Sequence, residues 1–173
     1  MTIGQSLLPE FDNEMANTRK VLELLPDEKW NWKPHEKSGT LGWYALHIAT
    51  LPSWTTMTLT SEQFDYAPVG EKGYEPPKVE NRAQALAVFD KETKEARAEL
   101  EKISDADIVK NWKLLAGGQE CITMPRVAVL RGLVMNHLIH HRGQLTVYYR
   151  LLGVPVPGLY GPSADEGESA ASA

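Results

Sequence analysis

The sequence predicts an all-α domain, a four-helix bundle with a long crossover connection and a short β-hairpin before the last helix. Three observations predict it. Four stretches carry apolar residues at three- and four-residue steps, the period of an amphipathic helix. Between the second and third of them, residues 64–79 hold Pro68, Gly70, Gly73, Pro76 and Pro77, a connection long enough to join helices that are not simple neighbours. Just before the fourth, Gly117-Gly118 lies between two short runs and suits a two-residue hairpin turn.

Composition bounds the class. A chain of 173 residues suits one domain, and at this size about 70% of the unfolded surface can be buried. The 18 basic and 23 acidic residues give a formal charge of -5, with no Lys/Arg cluster, which argues against nucleic acid as a partner. Met1 to Ser6 lack the basic region and apolar block of a signal peptide, and no uncharged apolar stretch reaches the roughly 18 residues of a membrane span. A cytoplasmic protein without a membrane partner is expected. Cys121 is the only cysteine, so neither an internal disulfide nor a Cys-based metal cage is available, and it reads as a small, partly buried apolar residue.

In the first helix Ile3, Leu7, Leu8, Phe11, Met15, Thr18, Val21, Leu22 and Leu25 share one face, with Pro9 bending its start and Pro26 ending it. Residues 27–39 carry Trp30, Trp32, Pro34 and His35 without a helical period and read as a loop whose aromatics cover one end of the core; His35 reads as a surface residue. Ser38 or Thr40 caps the second helix, which runs through Leu41, Tyr44, Ala45, Ile48, Leu51, Thr55 and Leu59 with a kink at Pro52. After the connection, Asn81-Arg82-Ala83-Gln84 resembles a capping box for a third helix. That helix carries Ala85, Leu86, Val88, Phe89, Ala96, Leu100 and Ile103, with its lysines and glutamates mostly on the wet side. The Gly-Gly hairpin pairs 113–116 with 120–123 as a ribbon and not a sheet. Thr123 and Pro125 start the fourth helix, which ends before Gly153. The domain is expected over 1–162, and the small, acidic stretch 163–173 is expected to be a disordered tail.

Three of the five histidines fall in Asn136-His137-Leu138-Ile139-His140-His141-Arg142-Gly143-Gln144. On a helix, His137 and His141 leave the same face one turn apart and can converge on one ion. Imidazole is the commonest nitrogen ligand for zinc, and a tetrahedral catalytic site takes three protein ligands plus an open position. A third ligand is therefore sought. At about 100° per residue, His47 falls beside Tyr44 and Leu51 at the margin of the second helix's apolar stripe, from where it can look inward. His140 points to the other side of His137 and reads as a supporting or edge group. On the same helical count His137 and His141 are buried with the core. The opposite side carries Ala128, Gly132, Met135, Ile139 and Thr146, with Gly143, Val147 and the arginines at 131, 142 and 150, a face that predicts a second subunit. The peptidase pattern His-Glu-x-x-His fails because position 138 is Leu, and no phosphate-cradling glycine loop or Gly-x-Ser-x-Gly elbow occurs.

From the first helix through the tryptophan-bearing loop to Tyr160-Gly161-Pro162-Ser163-Ala164-Asp165-Glu166, and most specifically at Asn136 to Leu145, the sequence resembles the DinB-like family of four-helix-bundle proteins. That family includes YfiT-like metal-dependent enzymes and bacterial small-thiol transferases. The resemblance implies a divalent metal held by one histidine of the second helix and two of the last, which map onto His47, His137 and His141. It also implies a homodimer and, among its activities, transfer of a low-molecular-weight thiol to an electrophilic small molecule. No catalytic residue beyond the metal ligands is assigned. Zinc or nickel is the expected metal, with iron or manganese as alternatives, since three imidazoles do not select among them. Three neutral ligands leave the ion its full charge, so it either lowers the pKa of a bound water to about 7, as in a hydrolase, or holds a thiol as thiolate, as in a transferase. A metal-binding stress protein without turnover uses the same triad. For transfer, the bundle end near Trp30, Trp32, Trp43 and Tyr44 is the expected seat of an apolar electrophile.

Overall fold

In the computed structural model, which describes residues 1–166, the first helix α1 (Ile3–Leu22) starts from a reciprocal cap. Gln5 N–H donates to the Thr2 hydroxyl at 3.2 Å, and Thr2 N–H donates to Gln5 Oε1 at 3.1 Å, so two otherwise orphaned donors are satisfied. Thr40 caps α2 (Leu41–Thr50) by accepting from Trp43 N–H at 3.1 Å. Pro52 interrupts the second helix more than a kink would: α2 stops at Thr50, and α3 (Ser53–Thr60) begins beyond the Leu51-Pro52 break. Asn81 caps α4 (Arg82–Lys102) from Gln84 N–H at 2.9 Å, while the Gln84 side chain reaches back to Glu80 N–H at 2.8 Å instead of to the cap residue. A single turn, α5 (Asp105–Ile108), follows under its own Ser104 cap.

The chain is mostly helical but not all-α. The hairpin forms as β2 (Asn111–Ala116) and β3 (Gln119–Pro125), antiparallel, with Gly117 and Gly118 at φ +60° and +77°. Both angles lie where only glycine is unstrained, which is why a Gly-Gly pair turns here. The ribbon expected from sequence is in fact one side of a three-stranded sheet, because β1 (Gln63–Asp65) pairs in parallel with β2. The Asp65 carboxylate clamps that pairing by accepting from Gly117 and Gly118 N–H at 3.0 and 2.6 Å.

The last helix is built from three pieces in line: α6 (Arg126–Val129), a π-helical stretch Leu130–Asn136, and α7 (His137–Leu152). The core lies between α1, α2, α4 and α7, with α4 and α7 each packing on both α1 and α2. Phe11, Leu22, Ile48, Phe89, Leu138 and Leu145 are all buried there. Because α7 packs on both α1 and α2, its buried face is centred between those helices, roughly 90° round from His137 at about 100° per residue.

That rotation corrects the outward face expected from sequence. Met135 is 2% exposed and Arg142 1% exposed, so both point inward, whereas the exposed line runs through Gly132, Asn136, His140, Gly143, Val147 and Leu151. Arg142 donates to Glu14 Oε2 at 2.7 Å, to the Glu14 carbonyl at 3.0 Å and to Thr18 Oγ1 at 3.1 Å. The Tyr160 hydroxyl closes the group, 2.6 Å from Arg142 Nη2 and 2.8 Å from Glu14 Oε2. Cys121, expected to be partly buried, is exposed on β3.

Residues 167–173 of the expected tail lie outside the described residues. Asp165 and Glu166, at its start, are fastened to the body. Asp165 pairs with Arg150 at 2.7 Å and accepts from Val156 N–H at 2.8 Å, and Glu166 accepts from Gly158 N–H at 2.9 Å. Among the described residues no helix is long and apolar enough to cross a membrane.

Candidate metal centre

His47 sits in the last turn of α2, and His137 and His141 occupy the first two turns of α7. Since α2 packs against α7, the three rings meet. His137 Nε2 lies 3.2 Å from His47 Nε2 and 2.8 Å from His141 Nε2. One ligand atom from each residue falls within 4.8 Å of the others, the one such group of His, Cys, Asp or Glu side chains among the described residues. All three rings are half-buried at the margin of the core, as expected for His47, whereas the helical count put His137 and His141 inside it.

The far side of two rings is already engaged. His137 Nδ1 lies 3.2 Å from the Leu133 carbonyl, and His141 Nδ1 lies 2.6 Å from Gln144 Oε1. Both partners are acceptors only, so each Nδ1 carries the proton and each Nε2 presents a lone pair to the centre. Lone pairs facing one another at these distances repel unless a proton or a cation lies between them. Zinc–imidazole bonds of about 2.0–2.1 Å at tetrahedral angles set nitrogens roughly 3.3 Å apart; the His47–His137 pair stands at 3.2 Å, and the His137–His141 pair, at 2.8 Å, opens slightly to take an ion. The residues therefore fit a divalent ion.

The π-helical stretch contributes directly. In an α-helix the backbone N–H of residue 137 would take the Leu133 carbonyl; here it goes to the Val134 carbonyl instead, and the Leu133 carbonyl holds the His137 ring. π-helical stretches recur at functional sites, and the tighter bond that ends this one lies at the His137 junction. A carboxylate or a backbone carbonyl is the usual partner for a ligand's second nitrogen. The carbonyl is present for His137, but an amide replaces the carboxylate for His141. Gln144, three residues along the same face, is the supporting residue that spacing alone would have pointed to.

Burial disfavours the charged form of two of the three rings. Burial pushes the His47 imidazole down to about 4, helped by His141 and His137 nearby. Burial likewise lowers His141; the Gln144 hydrogen bond opposes this, and His137 and His140 add to it. Neutral imidazole is the form that binds a metal. Trp43 stacks on His47 at 5.0 Å and 17°, shielding its outer side, while Tyr44 lies 5.5 Å from His141. His140 is exposed with its ring 4.9 Å from that of His141, and His35 sits in its loop accepting from Lys37 N–H at 3.1 Å, away from the cluster.

Two cavities flank His47. One, of about 190 Å³, is lined by Trp43, Leu46, His47, Thr50, Trp54, Tyr74 and Pro76. The other, of about 180 Å³, is lined by His47, Leu51, Trp54, Leu114, Leu133 and His137. Of the four aromatics expected around an apolar seat, only Trp43 lines either one. Trp32 is taken up by an edge contact with Tyr148 at 5.6 Å. Trp30 packs over Gly42, where a Cβ would come within 2.2 Å of the indole nitrogen. Trp54 and Tyr74 do the lining instead. The long connection brings Tyr74 to this side, with Tyr74 N–H donating to the Tyr66 carbonyl at 2.9 Å.

Comparison with known proteins agrees with this architecture. The sequence pattern of the DinB family matches residues 2–171. The chain is 30% identical over 163 residues to the uncharacterized protein YrdA of Bacillus subtilis (strain 168), covering 92% of this chain and 89% of that one. The crystal structure of a DinB-like protein from Bacillus cereus ATCC 10987 superposes with a TM-score of 0.68 at 26% identity, covering 90% of this chain and 97% of the other. That of the DinB-like protein YjoA from Bacillus subtilis gives 0.68 at 21% identity, covering 91% and 99%, a likeness of fold.

Proposed function

Because this chain belongs to the DinB family, we propose that His47, His137 and His141 hold a divalent metal ion, zinc or nickel first, in a cytoplasmic enzyme. Its reaction, on this reading, is transfer of a low-molecular-weight thiol to an electrophilic small molecule. The observation that carries the proposal is the convergence of three imidazole nitrogens, with the His137 and His141 rings oriented by Leu133 and Gln144. An ion held there supplies a Lewis-acid centre that favours the anionic form of a thiol or of water near neutral pH.

The rest falls to the chain's own residues. Trp43 excludes water from the outer side of His47. Leu133 and Gln144 hold the protons on Nδ1, and neither flanking cavity is lined by a carboxylate that would serve as general base for water. Elemental analysis of untagged, dialysed protein should find one divalent ion per chain. Adding a cellular thiol to the cobalt-substituted protein should produce a strong near-ultraviolet sulfur-to-cobalt band. No metal overturns the site; metal-dependent cleavage of an ester or amide with no such band favours a hydrolase, and metal without turnover favours a binding protein.

The helical arrangement fits the four-helix bundle of the family, with α2 and α3 together as one leg, and we propose a homodimer through the outer line of α7. Val147 and Leu151 are 57% and 61% exposed there, and Gly143 between them and His140 permits close approach of a second backbone.

A further inference from the structure

The cavity between His47 and His137 has one feature the metal does not need: apart from the two imidazoles its lining is Leu51, Trp54, Leu114 and Leu133, with no charged group. The neighbouring cavity, across Trp54 and His47, differs in having Thr50 and Tyr74 in its lining. Apolar chambers of about 150 Å³ in a protein interior stay dry and accept benzene. A volume of about 180 Å³ thus matches one six-membered ring or a branched chain of similar size, and does not match a fused pair of rings.

We propose that this chamber is the specificity pocket of the site and seats a compact apolar substituent, about one ring in size, of the electrophilic substrate. The proposal deepens the metal-site reading and rests on it, because His47 and His137 form one wall of the chamber. Leu114 comes from β2, and β1 with the Asp65 clamp holds β2 in place, so the sheet sets the floor of the pocket. This gives the hairpin a task in selecting the substrate: its side chain at position 114, and not the histidines, decides how large a group enters. An apolar group enters such a pocket without leaving a polar atom unpaired, whereas a charged or strongly hydrated group does not.

The test uses toluene as probe and the full-length protein, with and without zinc, followed by chemical shifts of leucine methyl and tryptophan ring signals. Saturable binding is expected, with shifts confined to Leu51, Trp54, Leu114 and Leu133. Leu114→Phe should weaken toluene at least tenfold while zinc stoichiometry stays at the wild-type value. Leu114→Ala should raise the affinity for naphthalene relative to toluene at least fivefold, which keeps the proposal testable if the larger side chain perturbs folding. No saturable toluene binding by the wild type, or a naphthalene-to-toluene preference that Leu114→Ala leaves unchanged, overturns the pocket. Toluene binding in protein that takes up no zinc under dialysis overturns the metal reading and leaves the chamber; zinc uptake without toluene binding does the reverse.

Discussion

Gln144 Oε1 lies 2.6 Å from Nδ1 of His141, one turn of helix along, so the orientation of a proposed metal ligand is set by a neutral amide on its own helix. Groups that orient a metal ligand are worth about 10–100-fold in metal affinity. Gln144→Leu removes the acceptor at similar size, and competition with a chromophoric chelator should show zinc affinity falling by a factor in that range, with the unfolding midpoint little changed. An affinity equal to wild type means that the amide does not orient the ring.

The ligand set itself makes the sharpest expectation. His47→Ala, His137→Ala and His141→Ala should each lower bound metal severalfold on dialysed protein, whereas His35→Ala and His140→Ala should not, since neither of the latter joins the cluster. Full stoichiometry in all three of the first group by elemental analysis disproves the centre.

Acid should loosen the metal-free fold in a defined window. The His47 imidazole is held at about 4 against an ordinary 6.5. A lowered histidine pKa means that the unfolded chain takes up the proton first, so stability is at its full value above 6.5, declines as pH falls towards 4 and levels off below. Carboxylates titrate at the lower edge, and subtracting the profile of His47→Gln removes their share. Urea midpoints of the metal-free proteins measured from pH 7 to 4 should converge as pH falls; parallel profiles contradict the assignment.

Arg142 and Glu14 form a buried ion pair, and removing one partner of such a pair costs about 3–5 kcal/mol because the other charge is left uncompensated. Arg142→Leu should lose that much in urea unfolding. Adding Glu14→Leu should recover a large part of it, and strict additivity of the two losses argues against the pair.

If the outer line of α7 is a dimer interface, Val147→Glu should yield a monomer by sedimentation at micromolar concentration. A wild-type monomer under the same conditions ends that proposal.

Much of this was readable from residue order, and the unread parts share a cause. The helices and the Gly-Gly hairpin announce themselves through local signals: Thr40 and Asn81 as caps, Pro52 as a kink that the structure turns into a break, two glycines at positive φ. His137 and His141 meet because helical spacing alone brings them together, and His47 needed only a position on the stripe margin. What escaped depends on partners distant in sequence. Arg142 looks like a surface arginine until Glu14 is brought to it, and three residues as plain as Gln63–Asp65 become a strand only when β2 supplies the hydrogen bonds. The aromatic lining was placed on Trp30 and Trp32, but their rings are used up on Gly42 and Tyr148, while Tyr74 arrives from a connection with no periodic signal. The π turns leave no mark in the apolar spacing at all.

Those turns make the last helix two rotational frames joined end to end, one set by Pro125 and the hairpin, the other by the histidines. A π segment holds more residues per turn than an α-helix, so removing one residue between Leu130 and Asn136 would let the stretch rewind as ordinary helix while keeping its length in turns. The Leu133 carbonyl would then be reclaimed by the backbone, and His137 would lose its anchor although every histidine remained in the sequence. Chain length within this helix is thus a variable of the site in its own right, as consequential as the identity of any side chain that lines it.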